Sequence, residues 1–165
     1  MEDMKSAREQ AEPYRLATVR FPIDALTYSW RHGTNRSVDE TQVNRLCRLF
    51  KEHGVQQDKV DHYFRVACTY NEVQRMFDYL RSHGHSIEGA SNLIKGPVPW
   101  PSFGAWFLRN TAKAELMAGQ HRVEAFKRYL RQTADNRRTC TTEWVCDLYD
   151  IGIIPILPVA RFPLR

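Results

Sequence analysis

AELMAGQHRVEAFKRYL, residues 114–130, is the stretch on which the fold turns. Lys113 to Ala118 predicts a strand, Gly119 breaks it, and Gln120 to Gln132 predicts a helix whose Val123, Phe126, Tyr129 and Leu130 recur at helical spacing. A glycine between a strand and a helix lets the backbone approach a neighbour closely. The first turn of the helix then offers unpaired N–H groups carrying partial positive charge, which suits a phosphate. Arg122 adds a planar guanidinium able to grip phosphate oxygens in a bidentate manner. His121 is a further donor that changes charge near neutral pH, and Gln120 offers a neutral amide.

Upstream, LATVRFPIDAL (16–26) reads as a first strand entering a turn at Pro22, and residues 27–36 read as a loop. Ser37, Val38, Asp39 and Glu40 form a capping box from which a helix starts, with Val43, Leu46, Cys47 and Phe50 on its buried face and Gly54 as its stop. Val60 to Cys68 predicts a strand with Phe64, Val66 and Cys68 on one face and Tyr63 and Ala67 on the other. Asn71 is the expected cap of a second helix, which buries Val73, Met76, Phe77 and Leu80 and ends at Gly84.

The stretch GHSIEGASNLIKGPVPWP (84–101) combines Pro97, Pro99 and Pro101 with three glycines and predicts a long irregular loop, packed onto the core by Trp100, Phe103, Trp106 and Phe107. Downstream, Trp144, Cys146 and Leu148 alternate in a last strand ahead of a proline-punctuated tail. With 42% hydrophobic and 26% charged residues, the 165-residue chain has the balance of one globular domain rather than of a disordered one.

No apolar run approaches the roughly 20 residues a membrane helix requires, and the polar opening has no signal-peptide core. Cys47, Cys68, Cys140 and Cys146 form no CxxC pair, so reduced thiols in an intracellular compartment, cytoplasmic or nuclear, are expected, without a metal site. His83 and His85 alternate in a polar loop and lack the further ligands that a zinc ion needs. The net charge of +5 favours anionic partners; Arg122, Lys127, Arg128, Arg131, Arg137 and Arg138 concentrate it against only Glu124 and Asp135.

The residues 114–130 resemble the signature of the ParB/sulfiredoxin superfamily, in which a strand ends in Gly-x-His-Arg or Gly-x-Arg-Arg and continues as an amphipathic helix. TVRFPIDAL (18–26) and SVDETQVNRLCRLFKEHGV (37–55) look like that family's opening strand, its Pro-apolar-Asp turn and its following helix, and WVCDLYD (144–150) resembles its last core strand. The resemblance implies an α+β domain, a small mixed sheet packed with helices. It also implies a nucleotide site at Gly119, Gln120, His121 and Arg122, with an insertion at about 71–111 longer than the family's usual hairpin.

Several departures shape the function this resemblance implies. Gln120 stands where sulfiredoxins need a cysteine, and an amide is no nucleophile, so sulfiredoxin chemistry is not expected there; Cys140 or Cys146 would have to approach in space. Tyr28 to His32 lacks the carboxylate that serine kinases of the superfamily use; Asp24 and Asp39 bracket that loop as substitutes. The family's lysine and hydroxyl contacts to the nucleotide fall on Gln42, Arg45 and Leu49, of which Arg45 suits phosphate. Arg36 resembles the arginine that partition proteins place ahead of the same helix. No helix-turn-helix element follows, so chromosome partition is not expected of these 165 residues.

The leading expectation is a domain binding the phosphates of ATP, ADP or CTP, with Mg2+ as a companion ion and phosphoryl transfer or hydrolysis as an open possibility without a complete catalytic set. The alternative is a non-catalytic nucleic-acid or protein interaction module that uses the basic helix 122–138.

Overall fold

The computed structural model describes residues 9, 11–30, 33–34, 37–57, 59–84, 101–104, 114–133 and 142–152. They form an α+β fold, a five-stranded mixed sheet packed with three α-helices. In chain order the elements are β1 (Arg15–Pro22), β2 (Leu26–Thr27), β3 (Ser29–Trp30), β4 (Gly33–Thr34), α1 (Glu40–His53), β5 (Phe64–Cys68), α2 (Tyr70–Ser82), β6 (Ala114–Ala118), α3 (Gln120–Thr133) and β7 (Glu143–Asp150). The sheet order is β1-β7-β5-β6-β2, with β1/β7 and β5/β6 antiparallel and β5/β7 and β2/β6 parallel. Among the described residues no helix is long and apolar enough to cross a membrane.

The run LATVRFPIDAL is two strands rather than one. Pro22 ends β1, a 3-10 turn covers Ile23–Ala25, and β2 then joins the opposite edge of the sheet beside β6. The four residue steps from Pro22 to Leu26 reach at most about 14 Å. Four flat inter-strand gaps would span about 19 Å. The sheet is therefore curled so that its two edges approach, while remaining unpaired with each other. The expected loop over 27–36 holds the two-residue hairpin of β3 and β4.

The central strands depart from simple alternation. In β7 every residue from Trp144 to Asp150 is buried, and in β5 Ala67 is buried alongside Phe64, Val66 and Cys68. Strands covered on both faces show no polar side in their burial. The first part of the expected strand Val60–Cys68 is a 3-10 turn, Val60–His62, and the strand proper starts at Phe64.

Both predicted helix caps shift by two residues. Asp39 caps α1 in place of Ser37: its backbone is extended (φ −93°, ψ 115°) and its carboxylate accepts from the Thr41 N–H at 2.8 Å. An ionised carboxylate is a stronger acceptor for the first-turn amides than a hydroxyl. Thr69, not Asn71, caps α2, its hydroxyl accepting from the Glu72 N–H at 3.2 Å. The stops hold as read from the sequence, with Gly54 (φ 76°) and Gly84 (φ 72°) in left-handed conformations.

Trp144 is fully buried and organises the packing of α1 and α3 on the sheet. It stacks on Phe64 (centroids 4.9 Å apart, planes 15° apart) and meets Phe126 edge-on at 4.8 Å and Phe50 at 6.1 Å. Its indole N–H donates to the His62 carbonyl at 3.0 Å, which satisfies the one polar atom of a buried ring. The insertion begins with α2 and returns through Pro101–Gly104, where Arg20 pairs with Pro101 and Phe103 along the outer side of β1. Phe103 is fully buried and meets Phe21 and Phe77 edge-on, as expected of a packing residue. Trp100, Trp106, Phe107, Lys113 and the proline-rich tail from 153 lie outside the described residues.

Candidate functional site

Gly119 links β6 to α3 at φ 113°, and a Cβ built on it would lie 2.7 Å from Phe64 Cδ1. The close approach that requires glycine here is thus to the Phe64 ring. Phe64 is itself pressed against Trp144, so the turn rests on the central aromatic stack. The first helical turn follows at once, with the Val123 N–H donating to the Gly119 carbonyl at 3.0 Å.

The next three side chains diverge, as 100° per residue dictates. Gln120 is 2% exposed, so its amide belongs to the interior and not to the surface of the turn. His121 points towards α1, where its Nε2 accepts from the Asp39 N–H at 3.0 Å. The imidazole thereby ties the start of α3 to the cap of α1, and only a form with a bare Nε2 makes this bond.

Arg122 is partly buried, and burial lowers its pKa from the ordinary guanidinium value. Among the described residues no carboxylate or carbonyl pairs with it. The other cations of the basic run are differently placed. Arg128 donates to both carboxylate oxygens of Glu40, at 2.9 and 3.2 Å, and to Asn44 Oδ1 at 2.8 Å. Lys127 lies over the Tyr28 ring, 5.7 Å from its centroid. Arg131 is exposed, and Arg137 and Arg138 lie outside the described residues.

A residue not singled out from the sequence, His62, lies near enough to Arg122 to feel its charge. It ends the 3-10 turn two residues before Phe64, whose ring touches Gly119. Its Nδ1 bonds to the Gln56 backbone carbonyl at 2.8 Å, an acceptor, so Nδ1 carries the proton. Burial lowers the His62 pKa most; the Gln56 bond opposes this, and the Arg122 and Lys59 cations lower it further against a smaller opposite effect of Asp61. His62 and Arg122 thus feel one another as like charges. Nothing in the local sequence DHYF marks His62, and its nearness to Arg122 arises only from the fold.

The remaining candidates are dispersed. Arg45 is exposed on α1, about 160° around the helix from Cys47, which donates its thiol to the Ala125 carbonyl of α3. The structure therefore does not gather Arg45 with His121 and Arg122. Arg36 lies outside the described residues. Asp24 is exposed in the turn after β1, and Asp39 is engaged as the α1 cap. A carboxylate does reach the β2 end from elsewhere: Tyr28 donates its hydroxyl to Glu124 of α3. Burial and that carboxylate raise the Tyr28 pKa well above its ordinary value, so the phenol stays protonated.

No described cysteine supplies a thiolate to the turn. Cys146 is fully buried in β7 with its thiol pKa raised well above 9.0 by burial, and burial pushes Cys68 up to about 12. Cys140 lies outside the described residues. Arg122 at the start of α3 can pair with an anion through charge and hydrogen bonds. No described cysteine stands beside it as a nucleophile.

No curated protein and no solved structure matches the chain. A family model described as a protein of unknown function (DUF3723) N-terminal domain matches residues 15–156, from the first residue of β1 to beyond the end of β7. The chain, including the Gly119 turn and everything that packs against it, belongs to the DUF3723 N-terminal domain family.

Proposed function

We propose that the turn from Gly119 to Arg122 binds the phosphate group of a nucleotide such as ATP, ADP or CTP, with Mg2+ accompanying the phosphates. One observation carries the reading: Arg122 is a partly buried guanidinium at a helix start with no carboxylate partner among the described residues. A desolvated cation without a counter-charge is costly, and a bound oxyanion offsets that cost at a helix start, where the helix dipole also favours negative charge. The resemblance of residues 114–130 to the ParB/sulfiredoxin signature points the same way. Within the turn, Arg122 is the ligand and Gly119 its support, while Gln120 and His121 hold the turn in place from the interior and from α1.

The alternative of a basic interaction helix draws less support, because Arg128 is neutralised by Glu40 and Lys127 is drawn onto Tyr28. The test is calorimetric titration of ATP, ADP and CTP with magnesium into the wild type and Arg122→Ala. Loss of a charge-assisted bidentate contact should weaken binding by about tenfold to a hundredfold. Absence of binding by the wild type, or full affinity in Arg122→Ala, would overturn the proposal.

A further inference from the structure

We propose that the outer seam between α1 and α3 takes the phosphate backbone of duplex nucleic acid, without reading its sequence, through Arg48, Lys51 and Arg131. This surface does not rest on the reading of Arg122, which lies about 120° around α3 from Arg128. It also differs from the basic helix weighed above, since two of its three cations belong to α1.

Contacts along their length fix how the two helices lie together. His121 reaches Asp39 at their starts, the Cys47 thiol donates to the Ala125 carbonyl at 3.2 Å, Arg128 donates to Asn44 at 2.8 Å, and Phe50 meets Tyr129 edge-on at 6.0 Å. Residue numbers rise together in these pairs, so the helices are parallel neighbours. On α1, Asn44 and Cys47 mark the side turned to α3; Lys51 lies within about 40° of both, and Arg48 about 40° beyond Asn44 towards solvent. On α3, Arg131 stands about 60° from Arg128, one turn further along. All three cations are exposed. Their grouping also acts on the Cys47 thiol, whose pKa burial raises while the charges of Arg128, Lys51 and Arg131 draw it back.

The two helices carry seven lysines and arginines against three glutamates, and each glutamate is already engaged. Glu40 is held by Arg128, Glu124 accepts from Tyr28, and Glu52 lies 3.9 Å from His53. Among the described residues no carboxylate pairs with Arg48, Lys51 or Arg131. The surroundings of these cations select the polyanion. A helix that lies on a membrane buries an apolar face in it. The apolar faces of α1 and α3 are already buried in the core, and Leu49 is their one large apolar side chain exposed among the described residues. Single strands are held by stacking bases on open aromatic rings. Here Phe50, Phe126 and Tyr129 pack against one another instead. Cations without apolar or aromatic anchors suit a duplex backbone, which presents one charge per about 1.7 Å of its axis. The planar fork of arginine matches each phosphate.

The test is fluorescence anisotropy of a labelled DNA duplex of about 20 base pairs, titrated with the full chain between about 50 and 200 mM salt. Three phosphate contacts predict a slope of about −2.7 for log affinity against log salt. The triple variant Arg48→Ala, Lys51→Ala, Arg131→Ala should flatten that slope and weaken binding at the lowest salt by about tenfold or more. Arg48→Lys with Arg131→Lys keeps the charge and should keep the slope. Arg75→Ala, which removes an exposed cation from α2, should change neither quantity, and nor should Arg122→Ala. No binding by the wild type at the lowest salt, or a slope that the triple variant retains, would overturn the proposal. So would tighter binding to vesicles of phosphatidylserine and phosphatidylcholine than to the duplex. Duplex binding lost with Arg122 would place the DNA phosphates at the Gly119 turn and remove the seam; duplex binding intact in Arg122→Ala separates the two surfaces, whatever the fate of nucleotide binding. The wild-type salt series uses no variant, so a poorly folded one cannot obscure it.

Discussion

Gly119 and Phe64 are in such close contact that a single methyl group on the glycine would lie 2.7 Å from the phenylalanine ring. The ring has little room to move, because it is fully buried and stacked on Trp144. Gly119→Ala therefore combines overpacking with a left-handed backbone strain, and is expected to destabilise the fold by about 2–4 kcal/mol. Urea denaturation of the variant would read this directly; a loss below about 0.5 kcal/mol would mean that the turn relaxes freely.

The helix caps give a sharper contrast. Asp39→Ala should cost about 1 kcal/mol and Ser37→Ala close to nothing, since only Asp39 accepts from the Thr41 N–H. The same comparison at α2 predicts about 1 kcal/mol for Thr69→Ala and little for Asn71→Ala. Equal losses within either pair, measured by thermal or denaturant unfolding, would place the cap elsewhere.

Thr18 on β1 donates to Asp147 on β7 at 2.5 Å, in a buried position, and in turn accepts from Arg15 at 2.8 Å. Thr18→Val keeps the shape and removes a hydrogen bond to a charged group. The expected loss is about 1.5–3 kcal/mol, against well under 1 kcal/mol for Thr18→Ser, which retains the hydroxyl at the expense of one methyl. Equilibrium unfolding of the two variants separates the hydrogen bond from the packing.

The buried thiols make stability depend on alkaline pH. Folding raises the Cys68 pKa from 9.0 to about 12, and that of Cys146 well above 9.0, so the unfolded chain releases these protons first. Stability is fully present below pH 9 and declines as the pH rises from there towards 12, by up to about 1.4 kcal/mol per pH unit for each thiol. In the native state at about pH 8, both cysteines should resist iodoacetamide and react only in denaturant, as peptide mass spectrometry would register. Rapid labelling of either in the native protein would contradict their burial.

How far these properties were legible in the sequence differs from residue to residue. The buried stripes of α1, α2 and α3 were readable because Val43, Cys47 and Phe50, then Val73, Met76 and Leu80, then Val123 and Phe126 repeat at the period that the backbone imposes. Cap positions were not, because Ser37 and Asp39 are both competent acceptors, and the Asp39 backbone is also held by His121 from another helix, a contact no local spacing shows. The burial of Val145, Asp147 and Tyr149 was hidden for a similar reason. Whether a strand is covered on one face or both is decided by its neighbours, not by its own residues. At the candidate site Gly119 and Arg122 stood out locally. The contact of Gly119 with Phe64, and the stack of Phe64 on Trp144 behind it, are encoded by no spacing along the chain.

The contact between Gly119 and Phe64 also bears on how relatives within the DUF3723 family should be compared. A glycine at this position answers to the aromatic ring opposite it, so the two would be exchanged together, and the glycine would persist in a relative that had lost any ligand. Substitution at the position of Arg122 carries no such structural tether. Variation there, beside an unchanged glycine and phenylalanine, is what would separate members that bind an anion from members that have kept only the scaffold.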